Sequence, residues 1–329
     1  MPATLKETSN RVYIEGIPPM RYGEQMDNSF IRSVQLSLNA LGEHYSYEYL
    51  MGISGAAFRL HFEPKWCPSS TDATCGFDVS EVIFKNLGYS AEFKRINHNS
   101  FSDIKALYDL IRKQIDKGKP VLAINLMGNM DWGIITGYLK NEPGIVCRTY
   151  YDESEEYSIA TRAPWLNFFI GDKKNGLSKE ELYKNSLKIA VQLAETKKYD
   201  EYFSGFHAYE KWIARLNGIN NSYSQEDITQ ILEIHFIIYN ALLDARRSAF
   251  NYLSASKAAS KLANIDQIIA LYKRIVSVLE SSSTNFDQNS GSDFLKQIEE
   301  FIRRQTEILT KVLEVEKKAI HLIKKEINT

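Results

Sequence analysis

The apolar positions follow two regimes along the chain. Through about residue 170 they mix helical and strand periods, and beyond it every segment repeats at three and four residues. Phe30, Val34, Leu38 and Leu41 recur at helical spacing behind Asp27-Asn28-Ser29, polar residues suited to capping, and Gly42 ends that helix where a left-handed residue is wanted. A short second helix is expected over residues 47–51, broken by Gly52 and Gly55. Residues 61–77 are rich in Pro, Ser and Gly and read as an ordered loop with an unusual load of side chains. Helices are expected over 78–87 and 102–117, and strands over 12–14 and 91–96. Residues 121–127 are a continuous apolar run of the kind buried on both faces. Further strands are expected over 132–139, 144–151, 157–159 and 167–170, and residues 1–10 read as a loose tail. Helices first and an antiparallel sheet after them is an α+β order.

A polar linker, Gly171-Asp172-Lys173-Lys174-Asn175-Gly176, separates this part from the rest, so residues 1–171 and 172–329 are expected to be two domains. The second reads as an all-α helical bundle, with helices over 178–195, 199–216, 224–245, 246–263 and 265–281, and one last. Residues 217–223 and 281–292 are loops by composition. The last helix carries Phe294, Ile298, Phe301, Ile308, Val312 and Val315 at alternating four- and three-residue steps, with Gln305 filling the gap after Phe301, widened by Ile302, Leu309 and Leu313. That stripe is broader than a two-stranded seam, so bundle packing is favoured over a homodimer zipper.

Composition narrows the function classes. At 329 residues the chain exceeds what one core serves, and 44% hydrophobic with 25% charged residues is an ordinary globular balance. Forty basic against 41 acidic residues removes the electrostatic footprint of a nucleic-acid binder. No apolar run reaches the length of a membrane span, and no export leader is expected from the polar first ten residues. The three cysteines, Cys67, Cys75 and Cys147, argue for a reducing compartment, so a cytoplasmic location is expected. No His, Cys and carboxylate set has metal-ligand spacing, and Gly52-Ile53-Ser54-Gly55 lacks the Lys and Ser/Thr of a phosphate loop. Neither a metal nor another cofactor is expected.

Three short motifs go together. Ser29 opens the first helix thirteen residues before Gly42. Far downstream stands Asp131-Trp132-Gly133-Ile134-Ile135-Thr136-Gly137-Tyr138. Asp152 closes Cys147-Arg148-Thr149-Tyr150-Tyr151-Asp152 on what reads as the next strand. Together they resemble the N-terminal domain of the butirosin-biosynthesis-H family and, more distantly, the C39-like branch of papain-like cysteine peptidases. In that pattern a Cys opens the helix, a His precedes the aromatic residue of the strand, and an acid follows; here the three positions hold Ser29, Asp131 and Asp152. Gly205-Phe206-His207-Ala208-Tyr209-Glu210-Lys211-Trp212 is similar to a "Gly-x-x-Ala-x-x-x-Trp" helix in the second domain of the same family. The resemblance implies a papain-like domain followed by a helical domain closing over it. It also implies acyl transfer or amide hydrolysis, with an acyl-carrier protein as a partner, since one family member moves an acyl group from such a carrier to an aminoglycoside.

The residues themselves favour a different outcome. A Cys–His pair works because imidazole takes the thiol proton and the thiolate attacks. Serine is much harder to ionise, and a carboxylate with a pKa near ~4 is a feeble base towards an alcohol. The expectation is therefore a degenerate triad retained for binding a small molecule or peptide. Its site would be lined by Ser29, Asp131, Trp132, Gln25 and Asn28, with Trp66, Cys67, Asp72, Cys75 and Phe77 from the 61–77 loop. A carboxylate in place of imidazole suits a ligand rich in amine or hydroxyl donors. Two alternatives stand beside it: a Ser29-dependent acyltransferase or hydrolase, and an interaction scaffold built on the last helix. Cys67 as a displaced nucleophile ranks lower, because without a histidine beside it a thiol is more often a small apolar filler.

Overall fold

The computed structural model of the chain describes residues 3–220, 222–257, 260, 262–281 and 294–327. The first part holds β1 (Thr4–Glu7), β2 (Arg11–Glu15), α1 (Ser29–Ala40) and α2 (Tyr47–Ser54), then β3 (His61–Phe62) between 3₁₀ turns at Ala56–Phe58 and Pro68–Thr71. Next come α3 (Val79–Leu87), β4 (Tyr89–Arg95), α4 (Phe101–Ile115), β5 (Val121–Ile124), β6 (Trp132–Leu139), β7 (Ile145–Arg148), β8 (Ser158–Ala160) and β9 (Leu166–Lys173). The remainder is α5 (Lys179–Glu195), a hairpin of β10 (Lys198–Tyr199) and β11 (Tyr202–Ser204), then α6 (Gly205–Asn217), α7 (Gln225–Ser256), α8 (Ile265–Glu280) and α9 (Phe294–Ile327). The class is α+β.

Where the sequence suggests one cut at Gly171, the chain divides into two compact units by exchange of a segment. Met1–Leu50 and Ile83–Leu177 form one, and Met51–Val82 with Ser178–Thr329 form the other.

The first unit is built on an antiparallel sheet in the order β1-β2-β6-β5-β9-β4, with β7 and β8 off the other edge of β6. β6 is its spine. Residues Ile134 to Tyr138 pair with β7 on one edge, while the opposite edge is shared by β5 along Trp132–Ile135 and β2 along Gly137–Leu139. Both edges of β6 are thus paired, and with α1 and α4 packed on the strand residues 132–137 are all buried. Gly137 permits the double pairing: a Cβ there would stand 2.2 Å from the carbonyl oxygen of Val12. α1 packs on β5 and β6, and α4 on β2, β5 and β6. The core joins Ile14, Leu36, Ile111, Val121, Ile134 and Phe169. Residues 1–10 are not a free tail throughout, because β1 pairs with β2 from Thr4↔Glu15 to Glu7↔Val12. All four β1 side chains are exposed, so its place is fixed by main-chain bonds that leave no apolar alternation in the sequence.

The second unit is helical, with one small antiparallel sheet, β10-β11-β3. The helix expected over 199–216 instead begins at Gly205, where φ is +52° and a Cβ would stand 2.3 Å from the Leu193 carbonyl. The helices expected over 224–245 and 246–263 are replaced by the single α7, 32 residues long and ending at Ser256, while residues 258, 259 and 261 lie outside the described residues. The charged Asp244-Ala245-Arg246-Arg247 resembles a solvated boundary, yet Asp244 and Arg246 are buried. The exchanged segment is held by backbone contacts. Arg246 Nη1 donates to the carbonyls of Ala57 and Arg59, both at 3.1 Å, and Gly52 lies against the ring of Tyr252, where a Cβ would come within 2.2 Å. In α9, Ile298, Ile302, Leu309, Val312 and Val315 are buried, and α9 packs on α5, α6 and α8. The loop expected over residues 281–292 lies outside the described residues beyond Ser281.

One buried imidazole makes this unit pH-sensitive. His235 is fully buried, and its Nδ1 accepts from the Trp212 indole N–H at 3.2 Å. Burial lowers its pKa to about 4, a hydrogen bond with Gln305 pulling the other way. The unfolded chain, with an ordinary histidine pKa near ~6.5, then binds the proton first as pH falls. Stability from this group is complete above that value and is lost on acidification towards the folded pKa. Urea titrations at pH 7 and pH 5 should therefore show a loss of about 2 kcal/mol in the native protein beyond that in a His235→Gln variant. Equal losses in the two proteins would show that His235 does not carry the effect.

Candidate active-site remnant

Ser29 is the first residue of α1, whose N-cap is Asn28. The Asn28 side chain accepts from the Ile31 N–H at 3.0 Å, and its own N–H donates to the Tyr47 hydroxyl at 2.8 Å. Asn28 is therefore committed to shaping the helix start. Ser29 Oγ accepts from the backbone N–H of Trp132 at 3.2 Å, so the helix N-terminus meets the first residue of β6. Trp132 itself is 1% exposed and packs between Phe30 and Phe168, at ring separations of 5.2 and 5.4 Å. Its indole is part of the aromatic core formed with Phe30 and Phe168.

Asp131 precedes β6 on the turn from β5. In that turn Asn125 has φ +67° and Gly128 φ +89°, and the Asn125 N–H reaches the Asp131 carbonyl at 3.4 Å. Both carboxylate oxygens are engaged by phenols: the Tyr22 hydroxyl donates to Oδ1, and the Tyr151 hydroxyl to Oδ2 at 2.8 Å. Burial and the bond to Asp131 push the Tyr22 phenol far above its ordinary value, and Tyr151 up to about 12. Both phenols stay protonated and donate. Tyr22 also packs on Tyr150 at 4.3 Å between ring centroids, and the Tyr150 hydroxyl donates to the Met26 carbonyl. Tyr22 and Tyr151 are nonetheless about half exposed. Gln25, between Tyr22 and the start of α1, is exposed with φ +60°.

Asp152 has other partners than the motif suggests. It lies past the end of β7, and its Oδ1 accepts from the Thr149 N–H at 3.2 Å and the Ser158 hydroxyl at 3.1 Å. Its Oδ2 lies 3.5 Å from Nη1 of Arg148, in a pair with almost no exposure. Burial raises the Asp152 pKa, with those bonds and Arg148 opposing. Arg148 donates in turn to the carbonyls of Ile17, Glu155 and Glu156 at 2.8–2.9 Å and covers the ring of Tyr157 at 3.9 Å. This is a structural knot for the turns flanking β2 and β8.

The 61–77 candidates belong to the other compact unit. Trp66 is buried on Phe62 with φ +62°, and Phe77 packs on Tyr199. Asp72 accepts from the N–H and hydroxyl of Thr74, both at 2.7 Å. Cys67 Sγ is 2.8 Å from Ser69 Oγ, itself 2.8 Å from the Tyr202 hydroxyl. Burial raises the Cys75 thiol pKa and pushes Cys147 up to about 12, against the activation a nucleophile requires. The loop is organised from within by Arg59, whose buried guanidinium donates to the carbonyls of Ser70 at 3.1 Å and Cys75 at 2.7 Å.

The structure thus brings together Ser29 and the Asp131-Trp132 step, and gives Asp152 partners other than Asp131. Sequence reasoning missed Tyr22, Tyr150, Tyr151 and Arg148. The pair Tyr150-Tyr151 and the four-residue spacing of Arg148 and Asp152 stand in the sequence, but nothing in a one-dimensional pattern says that Tyr22 closes on Asp131. Among the described residues no histidine hydrogen-bonds Ser29 or Asp131, no group of three His, Cys, Asp or Glu side chains can hold a metal ion, and no helix is long and apolar enough to cross a membrane. No protein-family model matches the chain, and no curated protein matches it.

Proposed function

We propose that the first unit is a papain-like scaffold whose reactive triad has become a binding site. Its ligand is a small molecule or peptide presenting an amine or several hydroxyls to Asp131. The observation that carries this reading is the occupation of the two reactive positions. The Ser29 hydroxyl accepts from a backbone N–H, and the group in the place of the general base is a carboxylate held by two phenol donors. A carboxylate oxygen accepts more than one hydrogen bond, so a ligand ammonium can join the phenols on Asp131. The half-exposed faces of Tyr22 and Tyr151 would line its approach and attract a cation.

One geometric feature favours the alternative of acyl transfer or hydrolysis through Ser29, fed by an acyl-carrier protein. The hydroxyl lies at a helix N-terminus beside a second backbone donor, an arrangement that stabilises developing negative charge. Two measurements on the full chain separate the readings. A fluorophosphonate probe, which labels activated serines, should leave Ser29 unmodified at neutral pH. Calorimetric titration with an aminoglycoside should show binding weakened at least about tenfold by Asp131→Asn, the loss expected for one charge-assisted bond. Stoichiometric labelling that disappears in Ser29→Ala would establish the enzyme reading. Aminoglycoside binding indifferent to Asp131→Asn would remove Asp131 from the ligand site.

A further inference from the structure

A second site lies wholly within the helical unit. Arg215 in the last turn of α6, Ser222 and Tyr223 before α7, the first turns of α7 and the Lys65-Trp66 turn that follows β3 line an open groove of about 600 Å³. That volume is in the range of small-molecule pockets. Its floor comes from α7, where Asp227, Gln230, Ile231 and Ile234 share one face by their spacing of three, four and seven residues. Arg215 and Lys65 stand on its walls, with Tyr223 from the loop. Trp66 gives an aromatic wall and holds a left-handed backbone at φ +62°, which bulky residues rarely adopt. Its indole N–H is buried without an acceptor among the described residues.

The charges on this groove are uneven in availability. Asp227 is committed to the helix cap, its Oδ2 accepting from the Ser224 N–H at 3.0 Å and the Ser224 hydroxyl at 2.6 Å. Neither Lys65 nor Arg215 has an ion-pair partner among the described residues, unlike Lys317 and Lys324 on α9, which pair with Glu210 and Glu195. Glu226 and Asp227 in the first turn of α7 offset the positive end of its dipole, so Arg215 and Lys65 are the anion-binding charges of the groove. Two uncommitted cations over an aromatic wall and an isoleucine floor suit an acid with a flat apolar body. We infer that this groove binds a small aromatic anion, its carboxylate or sulfonate between Arg215 and Lys65 and its ring against Trp66, Ile231 and Ile234. The site is separate from Asp131 in both residues and sign of charge, and stands or falls independently of the function proposed above.

The full chain can be tested with 8-anilinonaphthalene-1-sulfonate, which fluoresces on entering an apolar site, and its uncharged analogue N-phenyl-1-naphthylamine. The sulfonate should bind saturably at one per chain. Arg215→Gln and Lys65→Gln should each weaken it at least about tenfold, as loss of a charge-assisted bond predicts. Arg215→Glu should abolish it. The uncharged analogue should bind at least about tenfold more weakly, and Lys324→Gln should change nothing. Lys65 and Arg215 are exposed, so these variants should keep the native Tm. Absence of saturable binding, equal binding of the uncharged analogue, or indifference to both glutamine variants would each overturn the assignment.

Discussion

Replacing Glu316 with alanine should destabilise the helical unit by about 3–5 kcal/mol, the cost of leaving a buried cation without its counter-ion. Glu316 and Arg246 are 2% and 0% exposed. Arg246 Nη2 lies 2.7 Å from Glu316 Oε1, and Nε donates to Oε2 at 3.0 Å. The Tyr209 hydroxyl donates to the same Oε2 at 2.6 Å, and the remaining guanidinium nitrogen holds the carbonyls of Ala57 and Arg59. One ion pair thus ties α6, α7 and α9 to the exchanged segment 51–82. In Glu316→Ala the guanidinium keeps its two carbonyls but loses the charge that offsets its desolvation, and Tyr209 loses its acceptor. Domains of this size are stable by only about 5–15 kcal/mol, so the loss is a large share of the total. The joint replacement Arg246→Met with Glu316→Leu removes both charges and should cost far less than the single change. As a surface comparison, Glu210→Ala breaks a half-exposed pair with Lys317 at 3.4 Å and should cost under about 1 kcal/mol. Urea unfolding midpoints of the four proteins give the answer, and a Glu316→Ala variant within about 1 kcal/mol of native would refute the central role assigned to the pair.

The same residues show where local pattern stops being informative. β6 was legible to its ends, Trp132 and Leu139, because both its edges are paired and every residue from 132 to 137 is buried. Its neighbour β5 ends at Ile124, short of the strand expected to Met127, because the polar Asn125 interrupts the run, takes a left-handed conformation and turns the chain. α7 read as two helices because Arg246 looks like a surface residue to any scale of polarity, and only its pairing with Glu316, 70 residues away, makes it a core side chain. The exchange of segment 51–82 has the same origin. It depends on the backbone approach of Gly52 to Tyr252 and on Gly205 N donating to the Leu60 carbonyl, contacts that local periodicity does not encode. At the candidate site, the juxtaposition of Ser29 with the Asp131-Trp132 step follows the motif spacing. The tyrosine partners of Asp131 do not, since Tyr22 and Tyr151 come from segments outside the strands, and the Arg148 partner of Asp152 is set by the end of β7.

A double replacement, Ser29→Cys with Asp131→His, should produce a thiol of abnormally low pKa and so test the papain-like reading directly. Position 29 would then carry sulfur at the first residue of a helix, facing the backbone N–H of Trp132 at the place where Ser29 Oγ now accepts it at 3.2 Å. Helix terminus and backbone donor both favour thiolate, and an imidazolium at position 131 would favour it further. A free thiol has a pKa near ~8.5, and a fall of two units raises the thiolate fraction at pH 6.5 from about one in a hundred to about one in two. Alkylation by iodoacetamide at that pH, read at residue 29 by peptide mapping, should accelerate at least about tenfold over the single Ser29→Cys variant. In the single variant Asp131 keeps its carboxylate, and a negative neighbour resists a second negative charge. Its pH profile should therefore sit well above that of the double variant. The two profiles must separate if the side chain at 131 can reach the atom at 29. If both variants fold and their profiles coincide, Asp131 does not stand where a catalytic histidine would, and the papain-like reading falls with it.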